Sequence, residues 1–149
     1  MKVTDKIKEV GVEIYNSILK KKQPELSSPI RSLSNVKYDT KNGFFELTGK
    51  MKLRTLTAAT IKTFAQTLRM MNLSKELIEK DDIATKREAY YVSKNWGDAR
   101  FKEQPESDSV MDDVEAMLEV NREQIGFIPE EKGGDVAGQL IVVDKDPDR

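Results

Sequence analysis

The sequence predicts an α+β chain in which a winged-helix domain follows a helical and β-hairpin arm. Three observations carry this expectation. Residues 85–126 hold three helical segments with cap signals, and a Gly-rich stretch then leads to the apolar run Leu140–Val143; three helices followed by a glycine-turned strand pair is the winged-helix order. Two short apolar runs, Val36–Tyr38 and Phe44–Thr48, flank Asn42-Gly43, a strong hairpin signal. Two longer stretches, starting at Thr4 and Thr57, repeat apolar residues at helical spacing.

The elements follow in order. From Thr4 to Lys22 the residues Ile7, Val10, Gly11, Ile14, Ile18 and Leu19 fit one helix, with Lys20, Lys21 and Lys22 at the end where cations suit the helix dipole. QPELSSPIRSLSN, rich in Pro and Ser, reads as a linker. After the hairpin, Ala58, Ile61, Phe64, Ala65, Leu68 and Met71 predict an amphipathic helix, which Lys75–Glu79 continues. Thr85-Lys-Arg-Glu88 fits a capping box opening a helix to about Trp96. Gly97–Glu106 reads as a loop, and Ser107 as the cap of a helix burying Val110, Val114, Met117 and Leu118. Asn121 caps a short helix ending at Gly126, and Phe127-Ile128 and Leu140–Val143 form the strand pair. The resulting division is a helical arm (1–26), a hairpin and helix region (27–80), the winged helix (81–143) and an acidic tail (144–149).

Composition narrows the chemistry. With no cysteine and no histidine among 149 residues, disulfide scaffolds, thiolate catalysis, cysteine zinc sites and imidazole bases are excluded. Tyr, Ser, Thr, Lys, Arg, Asp and Glu remain. No apolar run nears bilayer length, and the start MKVTDKIKEV lacks a signal-peptide core, so the expectation is a soluble cytoplasmic protein without a membrane partner. Charge divides unevenly: 13 Lys/Arg against 6 Asp/Glu over residues 1–62, and 12 against 20 over residues 63–149. A basic first half is suited to a polyanion.

One pair of residues carries potential covalent chemistry. Arg87 and Tyr91 lie four apart and share a helix face. A tyrosine oxygen can attack a phosphodiester, and a guanidinium can grip the phosphate through two N–H donors. The same spacing also fits a packed tyrosine beside a solvated arginine, so both readings stay open at this point. Around the pair, Lys86, Lys94, Arg100 and Lys102 alternate with Tyr90, Tyr91, Trp96 and Phe101, a composition suited to nucleic acid. Tyr90, about 100° round the helix from Tyr91, reads as packing. The seven acids between Glu103 and Glu119 read mostly as a solvated face, with Asp108 supporting a helix N-terminus. Asp144, Asp146 and Asp148 alternate after a strand, a weak magnesium pattern, and glycines 133, 134 and 138 lack phosphate-loop spacing.

The block TKREAYYVSKNWGDARFKEQPESDSVMDDVEAML, residues 85–118, resembles the A subunit of archaeal DNA topoisomerase VI, of the type IIB family shared with the meiotic double-strand-break transesterase. SSPIRSLSNVKYD, FFELTGKMKLRTLTAATIKTFAQTLRMM and REQIGFIPEEKGGDVAGQLIVVD extend the resemblance over about residues 27–143. The family pattern Arg-acid-x-aromatic-Tyr falls on Arg87, Glu88, Ala89, Tyr90 and Tyr91. It implies Tyr91 as the nucleophile forming a 5′-phosphotyrosyl link, with Arg87 in support. It also implies a Toprim domain binding Mg²⁺, expected to be absent from this chain, so no metal ligand is carried over to Asp144 or Asp146. Duplex DNA, a second A subunit and two ATP-binding B subunits are the implied partners, in an A2B2 assembly that passes one duplex through another at the nucleoid. The tyrosine-bearing part is expected to be inactive alone, and the arm to pack on the B subunit, on a second copy, or on its own domain. The alternative is a non-catalytic winged-helix module, derived from that family, that binds DNA or a partner.

Overall fold

The computed structural model describes residues 2–30, 32–41 and 43–128. Helix α1 (Val3–Leu19) opens the chain. Its apolar residues Val3, Ile7, Val10 and Ile14 are spaced four, three and four apart, and this stripe joins the core, with Ile7 and Ile14 buried. The surface they meet is α2 (Ile61–Lys80). The Lys6 ammonium donates to the Leu118 carbonyl at 2.5 Å, holding the start of α1 near the end of α4 (Gln104–Leu118). The protein's own body therefore covers Ile7 and Ile14, whereas Ile18 is exposed.

The stretch read as a linker contains a strand. β1 (Glu25–Pro29) pairs antiparallel with β4 (Met51–Thr55), placing Leu26 opposite Arg54. Between them, β2 (Val36–Asp39) and β3 (Phe44–Leu47) form the expected hairpin, Tyr38 opposite Phe45. β1 packs on α4, where Leu26 enters the core. Arg54 bonds Asp113 of α4 at 3.1 Å and reaches the Thr67 hydroxyl of α2 at 3.4 Å.

Helix α2 is one continuous element of 20 residues that includes Lys75–Glu79 as expected, but it starts at Ile61 and not at Thr57, leaving Ala58 in the turn before it. Phe64, Met70, Met71 and Leu77 bury toward α4 and α1, and the small polar residues Thr67 and Ser74 on the same side allow close approach. A left-handed Asp81 (φ 54°) ends it. The chain then forms the two-residue strand β5 (Ala84–Thr85), helix α3 (Lys86–Val92), 3₁₀ turns at Ser93–Asn95 and Gly97–Ala99, then α4. A 3₁₀ turn at Arg122–Ile125 leads to β6 (Phe127–Ile128).

Several local expectations change. The helix opened at Thr85 gives way to 3₁₀ geometry after Val92 instead of running as α-helix to Trp96. α4 begins at Gln104, with Pro105 in its first turn and Glu103 before it, so Ser107 is a buried helical residue and not the cap. Proline suits that first turn because its missing N–H would have no intrahelical partner there. β6 pairs in parallel with β5, Ala84 opposite Phe127. The other expected partner, Leu140–Val143, lies outside the described residues, as do Asp144, Asp146 and Asp148 and glycines 133, 134 and 138. Among the described residues the chain is thus a mixed α+β fold of four α-helices with two antiparallel strand pairs and one parallel pair.

Gly126 closes the core between α2 and β6. Its φ is +81°, and a Cβ there would stand 2.9 Å from the Leu77 Cβ. Gly126→Ala combines left-handed strain of about 1–2 kcal/mol with overpacking, so a loss of about 2–3 kcal/mol is expected in chemical denaturation. A loss limited to the left-handed strain would show that Leu77 yields freely, and an unchanged denaturation midpoint would overturn both contributions.

Candidate active site on the capped helix

The site starts with the capping of α3. The Glu88 N–H donates to the Thr85 hydroxyl at 3.1 Å, and the Thr85 N–H donates to the Glu88 carboxylate at 2.5 Å. Thr85 also ends β5, whose Ala84 N–H donates to the Gly126 carbonyl at 3.0 Å. The first turn of α3 is therefore fixed both by its own capping box and by the pairing beneath it. Ala89 faces the core with no exposure.

Arg87 and Tyr91 lie four residues apart on the exposed side of α3. Tyr91 is 55% exposed, and Arg87 is exposed with no hydrogen bond or ion pair among the described residues. Neither the guanidinium nor the phenol hydroxyl has a hydrogen-bond partner among the described residues. That leaves five guanidinium donors and a phenol oxygen on one face.

Tyr90 points elsewhere. Its hydroxyl donates to the Lys102 carbonyl at 3.1 Å, and its ring centroid lies 5.5 Å from that of Tyr91. The Lys94 ammonium sits 3.9 Å over the Tyr90 ring and donates to the Phe101 carbonyl at 2.8 Å. The four aromatics do not share one surface: Phe101 is wholly buried, with half-buried Trp96 at 5.6 Å, while Tyr91 stands outside. Lys86 faces Asp108 of α4 at 3.7 Å, and Arg100 and Lys102 are exposed.

The acids of α4 carry more structure than a solvated face. Glu106 accepts from the Lys102 N–H at 2.7 Å and from the Gln66 amide at 3.0 Å, with the Lys62 ammonium at 3.8 Å. Asp113 holds Arg54, and Asp112 and Glu115 both hold Arg122. Asp108 lies a full turn into α4 and meets Lys86, so it does not serve the helix N-terminus. Gln66 and Glu106 are the residues the sequence reading missed. Each reads as an ordinary helix residue, and only the packing of α2 on α4 joins them.

Burial alone would raise the Glu106 pKa. The Gln66 and Lys102 hydrogen bonds and the charges of Lys62 and Lys102 outweigh it and hold the carboxyl below its usual 4.5. A depressed folded pKa means a stabilising contribution that is complete above the unfolded value and lost as pH falls through the lower folded value. Glu106→Gln should therefore melt below the parent protein at pH 7, with the gap closing in acid below about pH 4. A gap that persists at low pH would mean that the charge of Glu106 is not what holds the loop.

The described residues contain no group of three or more Asp or Glu that could hold a metal ion, and no helix among them is long and apolar enough to cross a membrane.

An exposed tyrosine and an unpaired arginine thus share a helix anchored at its start by the capping box and by β5. Comparison with known proteins gives the family. Residues 62–127 match the family model described as type IIB DNA topoisomerase. Over 143 residues the chain is 50% identical to the A subunit of type 2 DNA topoisomerase 6 from Methanocaldococcus jannaschii, covering 96% of this chain and 39% of that protein. The protein of the same name from Methanothermobacter thermautotrophicus is 34% identical over 143 residues, covering 95% of this chain and 40% of the relative. That of Archaeoglobus fulgidus is 33% identical over 132 residues, covering 87% and 36%. The chain belongs to the type IIB DNA topoisomerase family, on the A-subunit side. It spans about two fifths of the length of these curated relatives.

Proposed function

We propose that the chain is the tyrosine-bearing, winged-helix part of a DNA-cleaving A subunit. The observation that supports this most is the pairing of exposed Tyr91 with exposed, unpartnered Arg87 on one face of α3. In the proposed step the Tyr91 oxygen attacks a backbone phosphorus and the bond from phosphorus to the 3′ oxygen breaks. Tyr91 is left linked to the 5′ phosphate. The phenolic proton is given up to solvent, and the departing oxygen takes one up to leave as a 3′ hydroxyl. Arg87 grips the two non-bridging oxygens, offsetting charge as the pentavalent transition state forms. One ester replaces another, so resealing needs no outside energy.

Breaking both strands calls for a second Tyr91 from a second A subunit, and strand passage for an ATP-binding B-type partner. Mg²⁺ belongs in this reading to the Toprim domain of the A subunit, where it would neutralise charge at the scissile phosphate. The described residues supply no ligand cluster for it, and no step above runs through it.

Arg87, Arg100 and Lys102, with Lys86 beside Asp108, are the proposed phosphate contacts. Binding of duplex DNA to this chain should weaken with salt at a log–log slope of about −0.9 per phosphate neutralised, or about −3.6 for four. Arg100→Gln should reduce that slope by about 0.9 in a fluorescence anisotropy titration over salt. Tight binding indifferent to salt would remove this surface from consideration.

A further inference from the structure

Tyr91 sits near the end of α3, a helix of only seven residues. Two turns of helix hold a side chain loosely unless something outside braces them. Here the brace is the segment Arg100–Lys102. It takes the Tyr90 hydroxyl on the Lys102 carbonyl at 3.1 Å and the Lys94 ammonium on the Phe101 carbonyl at 2.8 Å. That ammonium also covers the Tyr90 ring at 3.9 Å, and the Tyr90 ring lies against Tyr91, tilted by 50°. The segment is itself fixed from below, since Phe101 is wholly buried and the Lys102 N–H is held by Glu106, which Gln66 holds in turn.

We propose that Tyr90 and Lys94 are positioning residues for Tyr91, and that Lys94 serves this purpose instead of binding a DNA phosphate. The inference rests on Tyr91 being the nucleophile. An exposed tyrosine can swing between rotamers, whereas attack needs oxygen and phosphorus within about 3–3.5 Å and in line. The Tyr90 ring closes off part of that swing. Lys94 covers that ring at 3.9 Å while its ammonium is spent on the Phe101 carbonyl.

The test uses a full-length A subunit carrying this segment, assembled with its B-type partner. It measures the single-turnover rate of SDS-resistant DNA adduct at saturating DNA, together with DNA affinity over a range of salt. Tyr90→Leu and Lys94→Met should each slow adduct formation by about tenfold or more while affinity and its salt slope stay unchanged. Tyr90→Phe, which keeps the ring, and Lys94→Arg, which keeps a donor and a cation, should each recover most of the rate. A Lys94→Met enzyme with unchanged rate and a slope reduced by about 0.9 would make Lys94 a phosphate contact and overturn the proposal. So would an unchanged rate in Tyr90→Leu. If Tyr90→Leu does not fold, Lys94→Met decides by the same two readings. Tyr91→Phe, run alongside, separates the layers: adduct retained there sinks the nucleophile reading, whereas adduct lost there but unchanged in the brace variants sinks only the brace.

Discussion

If Tyr91 is the nucleophile of the proposed step, replacing it by Phe should abolish covalent linkage to DNA in the assembled enzyme, a loss on the order of 10³-fold or more, because the proposed attacking atom is gone. Folding and DNA affinity should hardly change. Tyr91 is 55% exposed and its hydroxyl has no hydrogen-bond partner among the described residues, so its removal leaves nothing buried unsatisfied. Gel separation of SDS-resistant DNA–protein adduct gives the first quantity and anisotropy the second. The neighbouring tyrosine sharpens the test, since the Tyr90 hydroxyl is already committed to the Lys102 carbonyl and its ring lies under Lys94. Peptide mass mapping that placed the DNA-linked residue at Tyr90 would require that bond to break first. It would also take the reaction off the face that carries Arg87, and the assignment of both residues would fall.

The parts of this site that are legible in the sequence are those set within four or five residues of one another. Thr85 and Glu88 meet through backbone geometry that any helix start provides, and the capping box is present as expected. Arg87 and Tyr91 share a face because helical spacing requires it. What cannot be read is what distant chain contributes. ELSSP has the composition of a linker, and becomes a strand because MKLRT, more than twenty residues later, lies beside it and Leu26 finds the core. Ser107 has the chemistry of a cap, but Pro105 already lies in the first turn of α4. The acids of α4 look solvated in sequence because Lys86, Arg54 and Arg122 reach them from three separate elements. The contact of Lys94 is hidden in the sequence for the same reason, since the carbonyl it meets belongs to a loop whose path depends on burying Phe101.

The largest expected loss of stability from a single polar residue is at Asn35, at the joint between the two halves of the β-ribbon. Asn35 is fully buried, and its amide donates to the Ile30 carbonyl at 2.8 Å and the Lys50 carbonyl at 3.0 Å. Its carbonyl oxygen accepts from the Thr48 hydroxyl at 2.6 Å and the Lys50 N–H at 3.0 Å. One side chain thus replaces the ladder where β1 and β4 stop pairing and β2 and β3 begin. Asn35→Ala deletes four hydrogen bonds and leaves backbone groups of Ile30 and Lys50 facing a cavity. The expected cost is about 3–5 kcal/mol, which for a chain of this size lowers the melting temperature by about 10 °C. Asn35→Asp is the informative companion. It keeps the acceptor for Thr48 and Lys50 but turns a carboxylate oxygen toward two carbonyls, so it should destabilise at neutral pH and recover in part as acid protonates it. If both variants melt with the parent protein, the amide is not the joint, and the ribbon is held by its strand pairing and by Leu26 and Arg54 alone.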